Sequence, residues 1–399
     1  MRVLLVTQYF YPEQFKSNDI AFELAKKGYE VDVLAGIPNY PEGQYYKGFG
    51  LFQKRKEVIN GVHIYRVFQI PRGHGGWRLP FNYFSYVICA CLWVLFFFTW
   101  KKYDRVICHA PSPIFQAYPA LLLKAIRKVP VYLWVLDIWP DAMRSGGGVK
   151  NKRLISVVDK LVQHIYWHCD KILISSRRFK ENIVGKGIRE EKIVYFPNWC
   201  EDILSMDKTY DIPLLPKGYK VMMAGNLGKS QDLEAVGRLI LSLRDIVEIK
   251  WLFVGDGSKK EWLDDFIRNN HLQDVAYTYG KFQFEAMPAF YDRADVMLLS
   301  LRAGFPHLGM VVPARLQSYM SAGKPVLAMI GEGGGDIIRE ADCGIAVEAS
   351  DADALAKVIR EQVLVNRECF TEKGMNGRKY YEENYRMEDC IDHLCEILN

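Results

Sequence analysis

The sequence predicts an α/β protein of two doubly wound, Rossmann-like domains, and three observations carry that expectation. A chain of 399 residues has room for two domains at roughly 100–200 residues each. Short β-branched runs ending in Gly, Pro, Ser or Asn alternate with helical stretches, as βαβ units require. The alternation breaks once, near residue 203, and then restarts. Half of the residues are hydrophobic and a quarter charged, so the chain can bury real cores.

In the first half, strands are expected at 3–7 (VLLVT), 31–36 (VDVLAG), 62–69 (VHIYRVFQ), 105–110 (RVICHA), 131–137 (VYLWVLD), 171–176 (KILISS) and 193–198 (IVYFPN). Their continuous apolar character fits parallel strands covered on both faces. A helix is expected over 18–28, with Asn18 as N-cap and Gly28 as its stop. The polar segment after 203, with Pro213 and Pro216, reads as a linker. The second half places strands at 219–225, 249–257, 276–281, 295–301, 325–330 and 344–349. The expected domains are 1–202 and 203–380. A terminal helix over 381–399, carrying Met387, Ile391, Leu394 and Leu398 on one stripe, returns to the first domain.

Composition excludes some functions. The nine cysteines form no CxxC pair, and no His cluster has zinc-ligand spacing, so no metal and no cofactor is expected. The setting read from them is reducing cytosol. A net charge of +5 fits anionic ligands or an anionic membrane surface and is too small to argue for nucleic acid. The N-terminal MRVLLVTQYF lacks a cleavage site and reads as a first strand.

Residues 79–100 hold 22 positions without a charge, long enough to cross a bilayer as a helix. The flanking strands 62–69 and 105–110 belong to one sheet, so a crossing would tear the domain apart. Two readings remain, a buried helix or one lying in the membrane interface. The second is favoured by Trp77, Tyr83, Tyr86, Trp93 and Trp100, with Arg72, Arg78, Lys101 and Lys102 placed for anionic headgroups.

Several stretches point to anion chemistry. Pro313 suits the first turn of a helix ending at Gly323. The start of that helix would face the loop His307–Gly309, with Arg315 in the first turn; an ordinary surface helix with a solvated arginine is the alternative. AGNLGKSQD (224–232) and FVGDGSKKEWL (253–263) are strand–glycine–helix turns, weak signals singly. GEGGGDII (331–338) fits a phosphate-facing loop or a plain mobile one. The DxD pair Asp351 and Asp353 opens a helix and reads as a cap.

GNLGKSQDLEAV, FVGDGSKKEWL, YGKFQFEAMPAFYDRADVMLLSL and VVPARLQSYMSAGKPVLA occur in that order. Together with YPEQFKSNDIAFELAKKGYEVDVLAGIPNYPEG, GVHIYRV, VLDIWPDA and YFPNW, they resemble retaining GT-B glycosyltransferases of family 4, in particular the bacterial O-antigen and capsule group that includes fucosamine-type enzymes. The resemblance covers nearly the whole chain. It implies two domains facing each other across a cleft, the first for the acceptor and the second for the nucleotide-sugar donor.

By position, the resemblance puts Gly225, Asn226, Leu227 and Gly228 near the donor phosphates and Lys281 and Phe282 at the base. His307, Leu308, Gly309 and Arg315 fall at the diphosphate and sugar, and His109 near the transferred sugar. Ser318 stands where many members have a ribose-binding Glu, and Met310 where its partner would be; Glu332 and Glu340 repeat that spacing elsewhere and read as chance. Glu13, Lys16, Asn18 and Asp137 are expected on the acceptor side, although Asp137 could equally cap a helix. The implied activity is retaining, metal-independent transfer of a hexosyl or N-acetylhexosaminyl group. The donor is a nucleotide sugar, with UDP expected, and the acceptor a saccharide on polyprenyl diphosphate at the inner face of the plasma membrane. A nucleotide-sugar epimerase and a non-catalytic nucleotide-sugar-binding protein are the rival readings.

Overall fold

The structure is a computed structural model that describes residues 1–73, 76, 78–146 and 151–399, with the backbone alone for 144–146. Trp77, one of the aromatics counted toward a membrane face, lies outside the described residues. The chain forms two units: Met1–Phe196 with Ile391–Asn399, and Pro197–Cys390. The first crossing falls at Phe196, several residues before the break in pattern. The terminal helix Met387–Leu398 straddles the second crossing. Its end is fastened within the first unit by a Lys27–Asp392 ion pair and by Arg105 Nε donating to the Leu398 carbonyl at 2.8 Å.

Among the described residues the first unit has eight strands: β1 (Arg2–Val6), β2 (Glu30–Gly36), β3 (Lys56–Ile59), β4 (Val62–Val67), β5 (Arg105–Ala110), β6 (Val131–Val135), β7 (Lys171–Ile174) and β8 (Ile193–Tyr195). Their order is β3-β4-β2-β1-β5-β6-β7-β8, parallel except for β3, which pairs antiparallel with β4. β3 is absent from the sequence reading because Lys-Glu-Val-Ile is a short, half-exposed edge that satisfies neither the buried nor the cleanly alternating pattern. In the central strands the apolar run is the signature of burial on both faces, and Val3–Val6 and Val33–Ala35 have almost no exposure.

The second unit has β9 (Tyr219–Ala224), β10 (Ile249–Val254), β11 (Ala276–Gly280), β12 (Val296–Ser300), β13 (Val326–Met329) and β14 (Gly344–Val347), ordered β11-β10-β9-β12-β13-β14 and all parallel. Each sheet therefore reverses its strand order once, between β1 and β5 and between β9 and β12. Ligands bind beyond the carboxyl ends of strands at such a reversal.

Three local readings need correction. The first helix is Lys16–Lys26 with Phe15 at its cap position, so Asn18 lies inside it. The expected linker is a strap on the second unit: Ile203 is buried and its amide donates to Ser321 Oγ at 2.8 Å. Its prolines and polar residues describe a chain with no ladder of its own, which a sequence cannot distinguish from a free linker. GEGGGDII is no loop but the helix Glu332–Glu340. A Cβ on Gly333 would fall 2.2 Å from the Met310 carbonyl oxygen, so these glycines serve close packing.

The apolar stretch forms an α-helix over Arg78–Trp93 that continues as a π turn over Val94–Phe98. Asn82, Tyr86, Ala90, Val94 and Phe98 face the sheet. A stripe repeating every four residues drifts around an α-helix of 3.6 residues per turn, and the wider π turn takes up part of that drift. Phe81, Phe84, Ile88, Leu92, Leu95, Phe96 and Phe97 are exposed. Only 28% of the most apolar window is buried, so this is not a core helix. It connects two strands of one sheet and returns the chain to it.

The strap is tied down by Arg378, buried on the helix Arg367–Asn384. Its guanidinium forms a two-pronged pair with Asp202, donates to the Ser321 carbonyl at 2.9 Å and reaches Glu382 at 2.7 Å. Hydrogen bonds from Arg378 hold the Asp202 carboxyl at about 2, below its ordinary 3.8. A depressed carboxylate stabilises the fold above its unfolded value and loses that contribution as pH falls through its folded value. Denaturant melts should show the second unit weakening as pH drops from about 4 to about 2, with a shallower decline in Asp202→Asn. An unchanged pH slope in that variant would remove Arg378–Asp202 as the cause.

Candidate functional site

In the second unit, the loops after β9, β10 and β11 are laced together. The Gly225 amide donates to the Val254 carbonyl at 2.8 Å, Gly255 to Gly280 at 2.7 Å and Leu227 to Asp256 at 2.8 Å. A Cβ on Gly255 would lie 1.8 Å from the Gly225 carbonyl oxygen, so only glycine permits this approach. The loops frame a cleft of about 550 Å³ lined by Gly225, Asn226, Asp256, Lys281, Phe282 and Met287. Phe282 is braced edge-on against Phe290, with ring centroids 4.8 Å apart. Four of the expected donor residues thus meet in one cleft. Leu227 and Gly228 do not line it: both are buried behind it, and the Gly228 amide donates to Gln231 Oε1 at 3.0 Å.

The helix Ala314–Ser321, with Pro313 at its cap position, brings Arg315 to the same place from the other side of the strand reversal. Tyr319, fully buried, holds this helix to the end of β9: its hydroxyl accepts from the Ala224 amide at 3.1 Å and donates to the Ala224 carbonyl at 3.3 Å. Sequence reading missed Tyr319, because a tyrosine on an apolar helix face looks like ordinary core. Arg315 Nη2 donates to the Asn226 carbonyl, while Nη1 is buried with no hydrogen-bond partner among the described residues. Its first turn also offers free backbone amides.

The segment expected as a loop at His307–Gly309 is a single helical turn, Pro306–Met310. His307 points inward and is buried, whereas Leu308 and Gly309 line a second cleft of about 760 Å³ at the ends of β12–β14, with Arg302, Gly331, Glu332 and Arg339. Ser318 is half-buried: its hydroxyl lies 3.3 Å from Cys200 Sγ and donates weakly to the Ala314 carbonyl. Asp351 caps the helix Ala352–Val358, accepting from the Ala354 amide at 2.9 Å. Among the described residues, no three His, Cys, Asp or Glu side chains gather as a metal site.

In the first unit, His109 sits at the end of β5 beside the reversal, with Nδ1 3.4 Å from Thr7 Oγ1 at the end of β1. Its ring packs on Trp134, and Nε2 is buried without a partner among the described residues. Burial drives its pKa from 6.5 to about 3, so the ring is neutral at physiological pH. Glu13 is buried. Its carboxylate accepts from the Asn39 amide at 2.8 Å, Tyr40 at 2.7 Å and Phe10 at 3.2 Å. Burial raises it to about 7 despite those bonds. Asn18 joins the same turn, accepting from the Tyr11 amide and donating to the Glu13 carbonyl. Both side chains organise the loop after β1. Lys16 pairs with Asp19 at 3.5 Å. Asp137, half-buried after β6, is raised to about 6 by burial; it bears no hydrogen bond to a backbone amide of the described residues, so it caps no helix.

A buried polar network, invisible in the sequence, underlies the β1–β5 reversal. Gln8 Nε2 donates to Gln69 Oε1 at 2.7 Å and to Asn82 Oδ1 at 2.8 Å, and its own amide donates to Gln116 Oε1 at 2.8 Å. These residues are dispersed over 109 positions, and nothing in their spacing announces the contact.

Two family models match in tandem. Residues 17–199 match a glycosyl transferase 4-like domain and 209–379 match glycosyl transferases group 1. Over 90% of its length and 91% of the relative's, the chain is 24% identical to a putative colanic acid biosynthesis glycosyl transferase of Escherichia coli (strain K12). It is 26% identical to a probable glycosyltransferase of Pseudomonas aeruginosa over 61% of this chain and 64% of that one. Among solved structures, a sucrose-phosphate synthase from Thermosynechococcus elongatus superposes with a TM-score of 0.74 at 14% identity, covering 99% of this chain and 98% of that one. Anabaena HepE in complex with UDP gives 0.70 at 12%, covering 100% and 99%. At these identities the structural likeness speaks to the fold, which is GT-B. The chain belongs to the GT-B glycosyltransferases of family 4, built from a 4-like domain followed by a group 1 domain.

The lowered pKa of His109 yields a direct test. The folded state excludes a proton that the unfolded chain takes up below 6.5, so the contribution of the neutral ring is complete above that value and is lost as pH falls toward about 3. In NMR titrations, the His109 ring resonances should stay fixed from about pH 8 to about pH 5. A midpoint near 6.5 would contradict this burial.

Proposed function

We propose that this enzyme is a retaining, metal-independent glycosyltransferase. It moves a hexosyl or N-acetylhexosaminyl group from a UDP-sugar to a saccharide on polyprenyl diphosphate, in the assembly of a bacterial surface polysaccharide. The observation that carries the reading is Arg315: a guanidinium anchored at the β9–β12 reversal with one buried nitrogen left unpaired. Breaking the sugar–phosphate bond leaves negative charge on the nucleotide diphosphate, and Arg315 with the amides of its first helical turn supplies the compensating field. Gly225, Asn226, Lys281 and Phe282 bind the nucleotide in the 550 Å³ cleft, and Leu308 and Gly309 approach the sugar. The proton of the acceptor hydroxyl passes to the departing phosphate oxygen, which gives retention without a protein nucleophile. A neutral His109 acts as a hydrogen-bonding group for the sugar rather than as an acid. The colanic acid relative and the UDP complex of HepE support this choice of pathway class and nucleotide.

Arg315→Ala should lower turnover by about 10²–10³-fold, the usual loss for one such charge contact, with an unchanged melting curve. Transfer from a panel of UDP-, GDP- and dTDP-sugars to membrane-extracted lipid acceptor is the assay. Near wild-type turnover in the variant would take Arg315 out of the site.

The same reading places the protein on the inner face of the plasma membrane through the outward side of the Arg78–Phe98 helix. Support comes from its exposed apolar row and from the cations beside it. Arg55 and Lys56 lie 5.5 and 5.8 Å from the Trp93 ring centroid, where their charges suit anionic headgroups. Lys101 takes no part, since it is turned inward to Asp32 at 2.9 Å. Phe84→Glu with Ile88→Glu, both more than half exposed, should abolish flotation with phosphatidylglycerol liposomes and leave the melting curve in place. Flotation that survives the double change would refute interfacial docking by this face.

A further inference from the structure

Between the network under β1 and the apolar helix lies a cluster that the expected acceptor residues only graze. Arg72, in the segment after β4, donates from Nη1 to the Tyr9 hydroxyl at 3.3 Å and lies over the Tyr40 ring at 5.2 Å. Tyr9 stacks on Phe15 at 5.0 Å, with Tyr40 closing the third side at 5.7 Å. Tyr83, half-buried on the apolar helix, is close enough to Arg72 and Tyr9 for both to act on its phenol. The groups acting on the charge of Arg72 are phenols, those of Tyr9, Tyr83 and Tyr40. Among the described residues it has no carboxylate partner. A half-buried guanidinium without a counter-charge is a costly arrangement unless an anion completes it.

Asp137 gives the cluster a second pole. Its charge acts on Tyr83, while burial is what perturbs Asp137 itself and, among the described residues, no cation offsets its charge. Arg72 and Asp137 thus both act on one phenol without neutralising each other. The far side of the helix that carries Tyr83 is the apolar row of Phe84, Ile88 and Leu92. Cation and carboxylate thus act on one side chain of a helix that also carries an exposed apolar row.

Resting on the glycosyltransferase reading, we infer that Arg72, with Tyr9 and Tyr83, forms the diphosphate-binding subsite for the lipid-linked acceptor. Asp137 meets the hydroxyls of its first sugar, and the hydrocarbon chain leaves along the exposed face of the helix. Guanidinium and phenol donors match diphosphate oxygens, and a carboxylate accepts from sugar hydroxyls.

The test uses the full chain and three probes, farnesyl diphosphate, inorganic pyrophosphate and farnesol, followed by titration calorimetry. Farnesyl diphosphate should bind most tightly. Arg72→Gln should weaken it by about tenfold or more, the weight of a charge-assisted contact, while UDP affinity stays at the wild-type value. A loss smaller than that overturns the assignment. Pyrophosphate binding as tight as farnesyl diphosphate overturns its lipid part and leaves a site for free anions. Should Arg72→Gln melt early, Arg72→Lys keeps the aliphatic stem and loses the fork; affinity equal to wild type in that variant also overturns the assignment. Nucleotide-sugar turnover measured on the same preparations separates the two readings. Turnover without farnesyl diphosphate binding removes only this subsite, whereas absence of turnover with every donor removes the glycosyltransferase reading itself.

Discussion

Where a parallel sheet reverses its strand order, the loops on either side turn away from one another and leave a gap that the strands cannot fill. That constraint acts once in each unit and decides what the neighbouring residues are for. At the β9–β12 reversal, the gap is bounded by glycine turns from one side and by the start of a helix from the other. Tyr319 fixes the distance between them by bonding both backbone groups of Ala224. Arg315 is then held across the gap rather than free to follow solvent. Without Tyr319 the same arginine would be one more mobile surface cation, which is what it resembles in the sequence.

At the β1–β5 reversal the gap is managed differently. Its floor is a network of uncharged amides, Gln8, Gln69, Asn82, Asn39 and Gln116, all buried. Such networks stabilise only when nearly every member is satisfied. Within the network Gln8 Oε1 is left without a partner among the described residues, as is Nε2 of nearby His109 on the adjacent strand. The network also reaches the apolar helix through Asn82, which donates to the Ile70 carbonyl at 2.6 Å. A helix with an oily outer face is thereby registered to the polar heart of its unit.

Much of this was legible in the sequence, for reasons that differ by element. The strands and the two-unit plan followed from apolar runs and their punctuation, because burial on both faces leaves little freedom in composition. Pro313, Gly323 and the Asp351 cap were readable because helix ends obey local chemistry. Errors gathered where tertiary context outweighed local rules. Asn18 has the chemistry of a cap but is used to bridge Tyr11 and Glu13. The glycine run at 331–335 reads as a loop, but Gly331 and Gly333 let its helix lie against the turn that carries Gly309 and Met310. Glu13, a charged residue near a site, reads as a ligand contact but spends its oxygens on three amides. His307 and Leu227 sit in the expected segments and face inward, a matter of side-chain direction that spacing does not encode.

The chain leaves its first unit at Phe196, completes the whole of the second, and returns with Ile391. During synthesis the ribosome therefore finishes the second unit while the first still lacks its closing helix, which is emerging or yet to emerge. Domains made in order usually fold from the N-terminus onward. Here the earlier-made unit waits on residues made after the second, with the apolar face of Arg78–Phe98 already outside the tunnel. That face stays exposed when the closing helix arrives; what waits in the interval is the surface that Ile391, Leu394 and Leu398 later bury.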